Sequence, residues 1–187
     1  ELAQFKPMLI EEPTVPDCID SLKWVRDHSA IPVAAGERFY GKYAFWDVLH
    51  KEAVDIAQPD IFHNGGILES KKVAAMCESC HVPVSFHNPS GPVSNAAILQ
   101  LAACTPNFLI HEIVITDGSF RSKVANEVVY EDGFVMVPNK PGLGIEVDEE
   151  YIQTKPYVPR ILRHYTGTLT DIRPKDDTVY YFKGWDK

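Results

Sequence analysis

Short apolar segments recur along the first 112 residues, and each of them runs into an ionisable residue. The five endpoints are Glu11, Glu37, Asp60, His87 and Glu112, with gaps of 26, 23, 27 and 25 residues between them. The segments are short and contain Val, Ile or Leu, a composition that favours strands buried on both faces. The pattern therefore predicts five similar strands, each ending in a group that can carry charge.

Helical patterns fill the stretches between the predicted strands. Apolar residues recur at roughly helical spacing in segments 18–28, 43–53, 68–80 and 93–104, with Asp17 as a plausible N-cap of the first. A strand, a helix and two turns take about 25 residues, and repetition of that unit is typical of a parallel sheet with crossover helices. The predicted fold class is α/β, with Trp24 and Trp46 as core aromatic residues on helices.

Composition and charge exclude some classes of partner. Of the 187 residues 45% are hydrophobic and 24% charged, and the formal net charge is −8, which is typical of a globular domain. The basic residues form no stripe, so a nucleic-acid partner is not expected. No apolar run approaches the length of a membrane span, and the first residues lack a signal-peptide layout. We therefore expect a cytoplasmic protein without a membrane partner.

One cysteine motif resembles a haem-attachment site. Residues 77–81 read Cys-Glu-Ser-Cys-His, which matches the C-x-x-C-H pattern. The motif falls at the end of a predicted amphipathic helix, and no second ligand pair at zinc-site spacing accompanies it. Ordinary thiols in a reducing compartment explain Cys77 and Cys80 better.

The predicted strand ends are where chemistry collects in a β/α barrel. Adjacent strands lie ~4.8 Å apart, so the five ionisable residues can converge on one site. A single acid at a strand end is more often a helix cap or a surface charge. Five ionisable groups in the same register favour a functional site instead.

The motifs that carry these residues resemble a known family. The segments L-I-E-E-P, A-A-G-E-R and Q-P-D, followed by a strand-end His and a strand-end Glu, are similar to the enolase superfamily, mandelate racemase/muconate lactonizing branch. The loop H-N-P-S-G-P-V-S-N-A-A resembles that of acid-sugar dehydratases of the galactonate and gluconate type. The resemblance covers roughly residues 5 to 150. It implies the C-terminal part of a (β/α)7β TIM-like barrel, strands four to eight, followed by a β-hairpin tail.

The resemblance also implies a role for each endpoint. Glu11 and Glu37 match ligands of one Mg²⁺ ion. Asp60 and His87 match a dyad in which the histidine is the general base and contacts the substrate, while the aspartate fixes its tautomer. Glu112 matches the acid that bonds the substrate carboxylate.

These residue types suit removal of the weakly acidic proton beside a carboxylate. Loss of that proton places a second negative charge on the carboxylate oxygens, which a metal ion and a hydrogen-bond donor can stabilise. Loss of the β-hydroxyl as water then gives an enol, which tautomerises to a 2-keto-3-deoxy acid. The leading hypothesis is thus a Mg²⁺-dependent dehydratase of a sugar acid. The alternatives are a racemase or epimerase of a 2-hydroxy acid, a silent binding or structural fragment, and a hydrolase that uses another metal.

Other polar residues close to these motifs receive weaker assignments. Arg38 is expected to contact the substrate or, equally, to form a plain salt bridge. Glu12 is expected to point away from the metal, since strand neighbours alternate, and His111 to face the helix layer. Three loop residues are weaker candidates for substrate contact: His63, Asn64 and Asn88.

Part of the family pattern is absent from the chain. The third metal ligand, a second acid/base group and the α+β capping domain all precede the E-E-P motif by more than the ten residues found here. We therefore expect a C-terminal half that binds Mg²⁺ weakly and is inactive alone, and a homo-oligomer when complete.

The sequence predicts two regions in this half. Residues 1–118 form a partial barrel domain with the metal and catalytic residues. Residues 119–187 form a tail that packs toward the capping domain, with a hairpin over 127–137 turning at Asp132 and Gly133 and a late strand from Thr178.

Overall fold

Five parallel strands form one sheet, in the same order as they occur along the chain. A computed structural model describes residues 1–114, 121–126 and 128–156. The strands are β1 (Ile10–Glu11), β2 (Val33–Ala35), β3 (Ile56–Ala57), β4 (Val84–Phe86) and β5 (Phe108–His111). Each strand pairs in parallel with the next, so the predicted parallel sheet is confirmed.

A helix follows each of the first four strands. These are α1 (Ile19–His28), α2 (Gly41–His50), α3 (Gly66–Ser79) and α4 (Pro92–Ala103). Helix α3 begins after Gly65, which has a φ of 90° and provides the left-handed turn that this start requires. Helix α4 begins with a proline, whose fixed φ suits the first helical position. None of the helices within the described ranges is long and apolar enough to cross a membrane.

The core lies between the strands and the inner faces of the helices. Val33, Val84 and Phe86 from the strands are fully buried, as are Phe45 and Val73 from the helices. The strands are therefore covered by apolar side chains, as their Val-rich and Ala-rich sequences require.

The prediction of core tryptophans was wrong. Trp24 is 62% exposed and Trp46 is 56% exposed, because the buried faces of their helices carry Leu22 and Phe45 instead. Each indole ring stacks on a histidine one turn further along the helix. The N-cap of α1 is Cys18 rather than Asp17, and its side chain makes no capping hydrogen bond.

The cysteines are free thiols, as expected. Cys77 is fully buried, and burial raises the pKa of its thiol to about 12, so it is unreactive at neutral pH. Cys80, at the end of the same helix, is exposed. This placement is that of an apolar core residue and a surface residue.

A hairpin and a short helix follow the sheet. Strands β6 (Tyr130–Glu131) and β7 (Phe134–Val135) pair in antiparallel fashion, and the short helix is α5 (Glu149–Gln153). Asp132 and Gly133 both have positive φ angles, as a two-residue hairpin turn requires, so the predicted turn is confirmed. Residues Glu1–Ile152 belong to one compact unit. The predicted boundary after residue 118 and the strand from Thr178 lie outside the described residues and stay predictions.

We predict that replacement of Phe45 by alanine lowers the free energy of unfolding by about 3–5 kcal/mol, because its ring is fully buried and packs edge to face against Phe39. Tyr43 on the same helix is 78% exposed, so Tyr43→Ala should change that free energy by only about 0.5 kcal/mol. Urea denaturation followed by circular dichroism measures both. Equal losses in the two variants would contradict this assignment of the core.

Candidate active site at the strand ends

Three of the predicted site residues bring ligand atoms together at the C-terminal edge of the sheet. Glu11 is the last residue of β1, Glu37 follows β2 by two positions, and His87 follows β4 directly. One carboxylate oxygen from each glutamate and one ring nitrogen of the histidine all lie within 4.8 Å of one another. Parallel pairing produces this convergence, because it places all the carboxyl ends at one edge.

The imidazole of His87 is fixed by the carboxylate of Asp60. Its Nδ1 lies 2.8 Å from Asp60 Oδ2, and the two residues form a parallel bridge beyond the ends of β3 and β4. Asp60 is 2% exposed and its other oxygen accepts the backbone N–H of Phe62 at 2.7 Å, so the carboxylate has little freedom. With Nδ1 held in this way, Nε2 is the ring atom that faces the cluster.

Two further carboxylates surround Nε2. The Oε2 atom of Glu37 lies 2.5 Å from it, and that of Glu112 lies 4.0 Å away. The same oxygen of Glu112 accepts the backbone N–H of Asn88 at 2.7 Å, which anchors the acid from β5 to the residue after His87. The strand-end residues from all five strands are thereby linked around one imidazole.

The charges in this cluster shift the pKa values of its members. Burial opposes protonation of His87, but the hydrogen bond to Asp60 and the charges of Glu37 and Glu112 outweigh it and raise the pKa of the imidazole. Burial by itself raises the pKa of Asp60, but the hydrogen bonds that its carboxylate accepts from His87 and from the backbone N–H of Phe62 outweigh burial and lower that pKa. Burial and the charge of Glu112 raise the pKa of Glu11. The cluster therefore carries excess negative charge that a cation would compensate.

The residues that directly follow Glu11 and Glu37 in the chain, Glu12 and Arg38, bond to each other. Glu12 accepts hydrogen bonds from Arg38 and from the backbone N–H of Gly36, and it points away from the cluster, as the sequence predicts. Arg38 thus forms the salt bridge that was one of its two expected roles. Its contact with substrate stays a prediction.

The polar residues of the loops hold the backbone around the site. His63 Nδ1 lies 2.9 Å from the carbonyl oxygen of Glu37. Asn64 is buried and accepts the N–H of Gly41 at 2.7 Å, and Asn88 accepts the hydroxyl hydrogen of Ser94 at 2.8 Å. In the structure, the side chains of His63, Asn64 and Asn88 therefore bond to groups of the protein that surround the site.

His111 faces the helix layer, as predicted, and it contacts a residue that the sequence reading did not single out. Its Nε2 lies 2.7 Å from Asn95 Oδ1 on α4, and burial lowers its pKa to about 4. Ser94 and Asn95 are both buried in the first turn of α4, whose other residues are apolar except for Gln100. That pair of polar residues in an apolar run was the signal available in the sequence.

Gly36 sets how closely the loop with Glu37 approaches the next strand. A Cβ atom at this position would lie 2.5 Å from the carbonyl carbon of Gln58, which is a backbone atom and has no rotamer to change. Any side chain here would push β2 and β3 apart. The glycine therefore holds Glu37 close to the dyad.

The donor set fits a divalent cation. Two carboxylates suit a hard ion such as Mg²⁺. Burial, the charge of Glu112 and, to a smaller extent, the charge of Glu37 raise the pKa of Glu11, and a bound cation would offset these effects. The imidazole of His87 lies within reach of the same point, and can act either as a ligand or as a base next to the ion.

Comparisons with known proteins give a consistent result. The family model described as "Enolase C-terminal domain-like" matches residues 1–151. A D-galactonate dehydratase from Variovorax paradoxus is 36% identical, over 81% of this chain and 41% of that protein. A D-xylonate dehydratase from Haloferax volcanii is 32% identical, over 82% of this chain and 37% of that protein. The chain thus spans about two-fifths of the length of these relatives.

Solved structures show the same architecture. A mandelate racemase/muconate lactonizing enzyme from Sulfitobacter sp. aligns with a TM-score of 0.80 and 39% identity, over 84% of this chain and 40% of that one. The five-stranded sheet is therefore the C-terminal part of a TIM-like barrel, and its five strands are strands four to eight, as predicted.

We predict that His87 in the metal-free protein titrates above the ordinary value of about 6.5 for an imidazole. Its folded-state pKa is raised, so its protonation stabilises the fold fully below about pH 6.5, and this contribution is lost as pH rises through the folded-state pKa. Imidazole NMR resonances measure the titration. Asp60→Asn should lower the pKa of His87 and leave that of His111 near 4. A His87 pKa that does not respond to Asp60→Asn would show that the dyad is not coupled.

Proposed function

Because this chain belongs to the enolase C-terminal domain-like family, we propose that it is the barrel part of a Mg²⁺-dependent hydro-lyase acting on a sugar acid. The reaction is removal of the α-proton and loss of the β-hydroxyl, with a 2-keto-3-deoxy acid as product. The observation that carries this proposal is the meeting of Glu11, Glu37 and His87 at one point, with Asp60 fixing the imidazole. The dehydratase relatives support the choice of reaction.

In this proposal Glu11 and Glu37 hold the metal ion. When bound, Mg²⁺ would stabilise the negative charge that develops on the substrate carboxylate as the α-proton leaves. Glu11 ends β1 and Glu37 follows the neighbouring strand β2 by two positions, and one carboxylate oxygen of each lies within 4.8 Å of the other. Charge compensation also makes an acidic site able to accept an anionic substrate.

His87 is the proposed general base. In the neutral tautomer that donates Nδ1–H to Asp60, the lone pair is on Nε2, the atom that faces the cluster. The α C–H bond breaks and the proton moves to Nε2, where Asp60 and the neighbouring glutamates stabilise the imidazolium. The C–O bond to the β-hydroxyl then breaks, and the proton that His87 has gained can leave with that hydroxyl as water, which returns the imidazole to its neutral form.

Glu112 is the proposed partner of the substrate carboxylate. Its Oε2 lies 4.0 Å from His87 Nε2, so one substrate can contact both residues. In its protonated form the acid can donate a hydrogen bond to the carboxylate oxygen that gains charge.

The remaining parts of the site are proposed to come from outside this chain. The chain spans about two-fifths of the length of the relatives reported above. The family resemblance implies that a third metal ligand and a second acid/base group precede the E-E-P motif. We propose that residues 1–187 alone bind Mg²⁺ weakly and do not turn over substrate. The complete protein is proposed to be a cytoplasmic homo-oligomer.

A racemase or epimerase of a 2-hydroxy acid is the second candidate. The similarity to a mandelate racemase/muconate lactonizing enzyme favours it, and the same metal ligands and the same base would serve. It would require a second base on the face of the substrate opposite His87. The two functions differ in whether the β-hydroxyl leaves.

We predict that the complete protein, with Mg²⁺, converts a sugar acid to a 2-keto-3-deoxy acid, and that residues 1–187 alone do not. The panel should include D-galactonate, D-xylonate and D-gluconate. His87→Asn should lower kcat by about 10²–10⁴-fold, because a positioned general base contributes that factor. His50→Asn is the matched control, since His50 is exposed at the C-terminal end of helix α2, where its ring stacks on Trp46.

Parallel assays in D₂O separate the candidate functions. Exchange of the α-proton with solvent without loss of a hydroxyl would favour the racemase. Full turnover by residues 1–187 alone would contradict the proposed dependence on the rest of the protein. A complete protein that does neither reaction on the panel would favour a silent binding or structural role.

A further inference from the structure

We infer that Glu12 and Arg38 form a brace that positions the two metal-binding glutamates, Glu11 and Glu37. Each member of the brace follows one of these glutamates directly in the chain. The inference rests on the metal site of the proposed function and assigns positioning roles to two residues outside that site's ligand set.

The side chain of Glu12 contacts the loop on both sides of Glu37. Its Oε1 accepts the backbone N–H of Gly36 at 2.8 Å. Its Oε2 accepts hydrogen bonds from Arg38 Nε at 2.8 Å and from Nη2 at 2.5 Å. The residues before and after Glu37 are thus both tied to the residue after Glu11, which fixes the separation of the two ligand backbones.

The guanidinium of Arg38 closes the brace on the other strand. Its Nη2 also donates to the carbonyl oxygen of Thr14, at 2.7 Å, in the segment that follows β1. The contact thus spans the ends of β1 and β2, where the two glutamates lie. A planar group with several donors in fixed directions can make these bonds at once, whereas a lysine cannot.

The backbone of Glu12 shows that this position is held by its contacts. Its φ is 46°, in the left-handed region that residues with a Cβ rarely adopt. Its N–H donates to the carbonyl oxygen of Ala34 at 2.9 Å, and its side chain is only 13% exposed. The turn after Glu11 is therefore defined by bonds to β2 rather than by local preference.

The brace also leaves the charge of the metal site in place. Glu12 and Arg38 neutralise each other, so the guanidinium is not a free cation that would compete for Glu11 and Glu37. Without Arg38, the carboxylate of Glu12 would add a further negative charge to a partly buried cluster. Because a further negative charge by itself favours cation binding, the weaker metal binding expected on loss of Arg38 comes from changed ligand geometry.

Asp55 provides a matched control because it bonds to the start of β2, whereas Glu12 bonds to the residue just after the end of β2. Its Oδ1 accepts a hydrogen bond from Arg26 Nε at 2.9 Å, and its Oδ2 accepts the backbone N–H of Val33 at 2.8 Å. This carboxylate thus joins an arginine and the backbone of β2, as Glu12 does. It lies at the start of the strand, away from the metal-binding end.

The test is Mn²⁺ titration followed by electron paramagnetic resonance, on the complete protein that carries this chain. Glu12→Gln and Arg38→Gln should each raise the Kd for Mn²⁺ by about 10-fold or more, as is usual for residues that orient metal ligands. The double variant should have a Kd for Mn²⁺ no higher than that of the single variant that binds Mn²⁺ more weakly, because each substitution removes the same brace. Asp55→Asn should leave the Kd unchanged, and thermal unfolding checks that each variant is folded.

The outcomes separate this inference from the proposed function. If Glu11→Gln abolishes Mn²⁺ binding but Glu12→Gln does not change it, the brace is wrong and the metal site stands. If Asp55→Asn weakens binding as much as Glu12→Gln, the effect is general destabilisation and the brace is also wrong. If Arg38→Gln raises KM for the sugar acid and leaves the Kd for Mn²⁺ unchanged, Arg38 contacts substrate instead. Absence of Mn²⁺ binding by the unaltered protein would overturn the metal site and the brace with it.

Discussion

Parallel hydrogen bonding between consecutive strands places the last residue of each strand at one edge of the sheet, and the arrangement of the site follows from this constraint. Glu11, Asp60 and His87 are far apart in the sequence, yet each needs only to follow a strand to reach the same edge. The helices between the strands bury the apolar faces and fix the spacing. The close approach of Gly36 to Gln58 then sets the distance between the second and third strands at the level of the site.

The electrostatics of the edge depend on one imidazole shared among several carboxylates. Asp60 holds Nδ1 of His87, while carboxylate oxygens of Glu37 and Glu112 lie near Nε2. These contacts raise the pKa of the imidazole and keep Asp60 ionised, although burial opposes charge on both groups. A base that binds a proton more strongly in the fold is suited to removing a weakly acidic one.

The fold and the convergence of the strand-end residues could be predicted because both follow from the spacing of residues along the chain. A repeat of about 25 residues identifies the β/α units, and the ionisable endpoints mark their strand ends. The exposure of Trp24 and Trp46 could not be predicted so well, because their helices contain enough apolar residues to cover the sheet without them. The contacts of Glu12 with Gly36 and of His63 with the Glu37 carbonyl depend on loop backbone and side-chain rotamers, which periodicity does not describe.

The agreement between strand order and chain order also has a consequence for folding. Each strand pairs with the one that follows it in the chain, so every pairing in the sheet closes a loop of one β/α unit. Such contacts are more local than those of sheets in which distant strands meet, so each pairing closes a shorter loop and loses less chain entropy. During synthesis from the N-terminus, Glu11 and Glu37 can meet before the strand that carries His87 has left the ribosome. In this order of events the acidic pair forms first, and His87 joins it later.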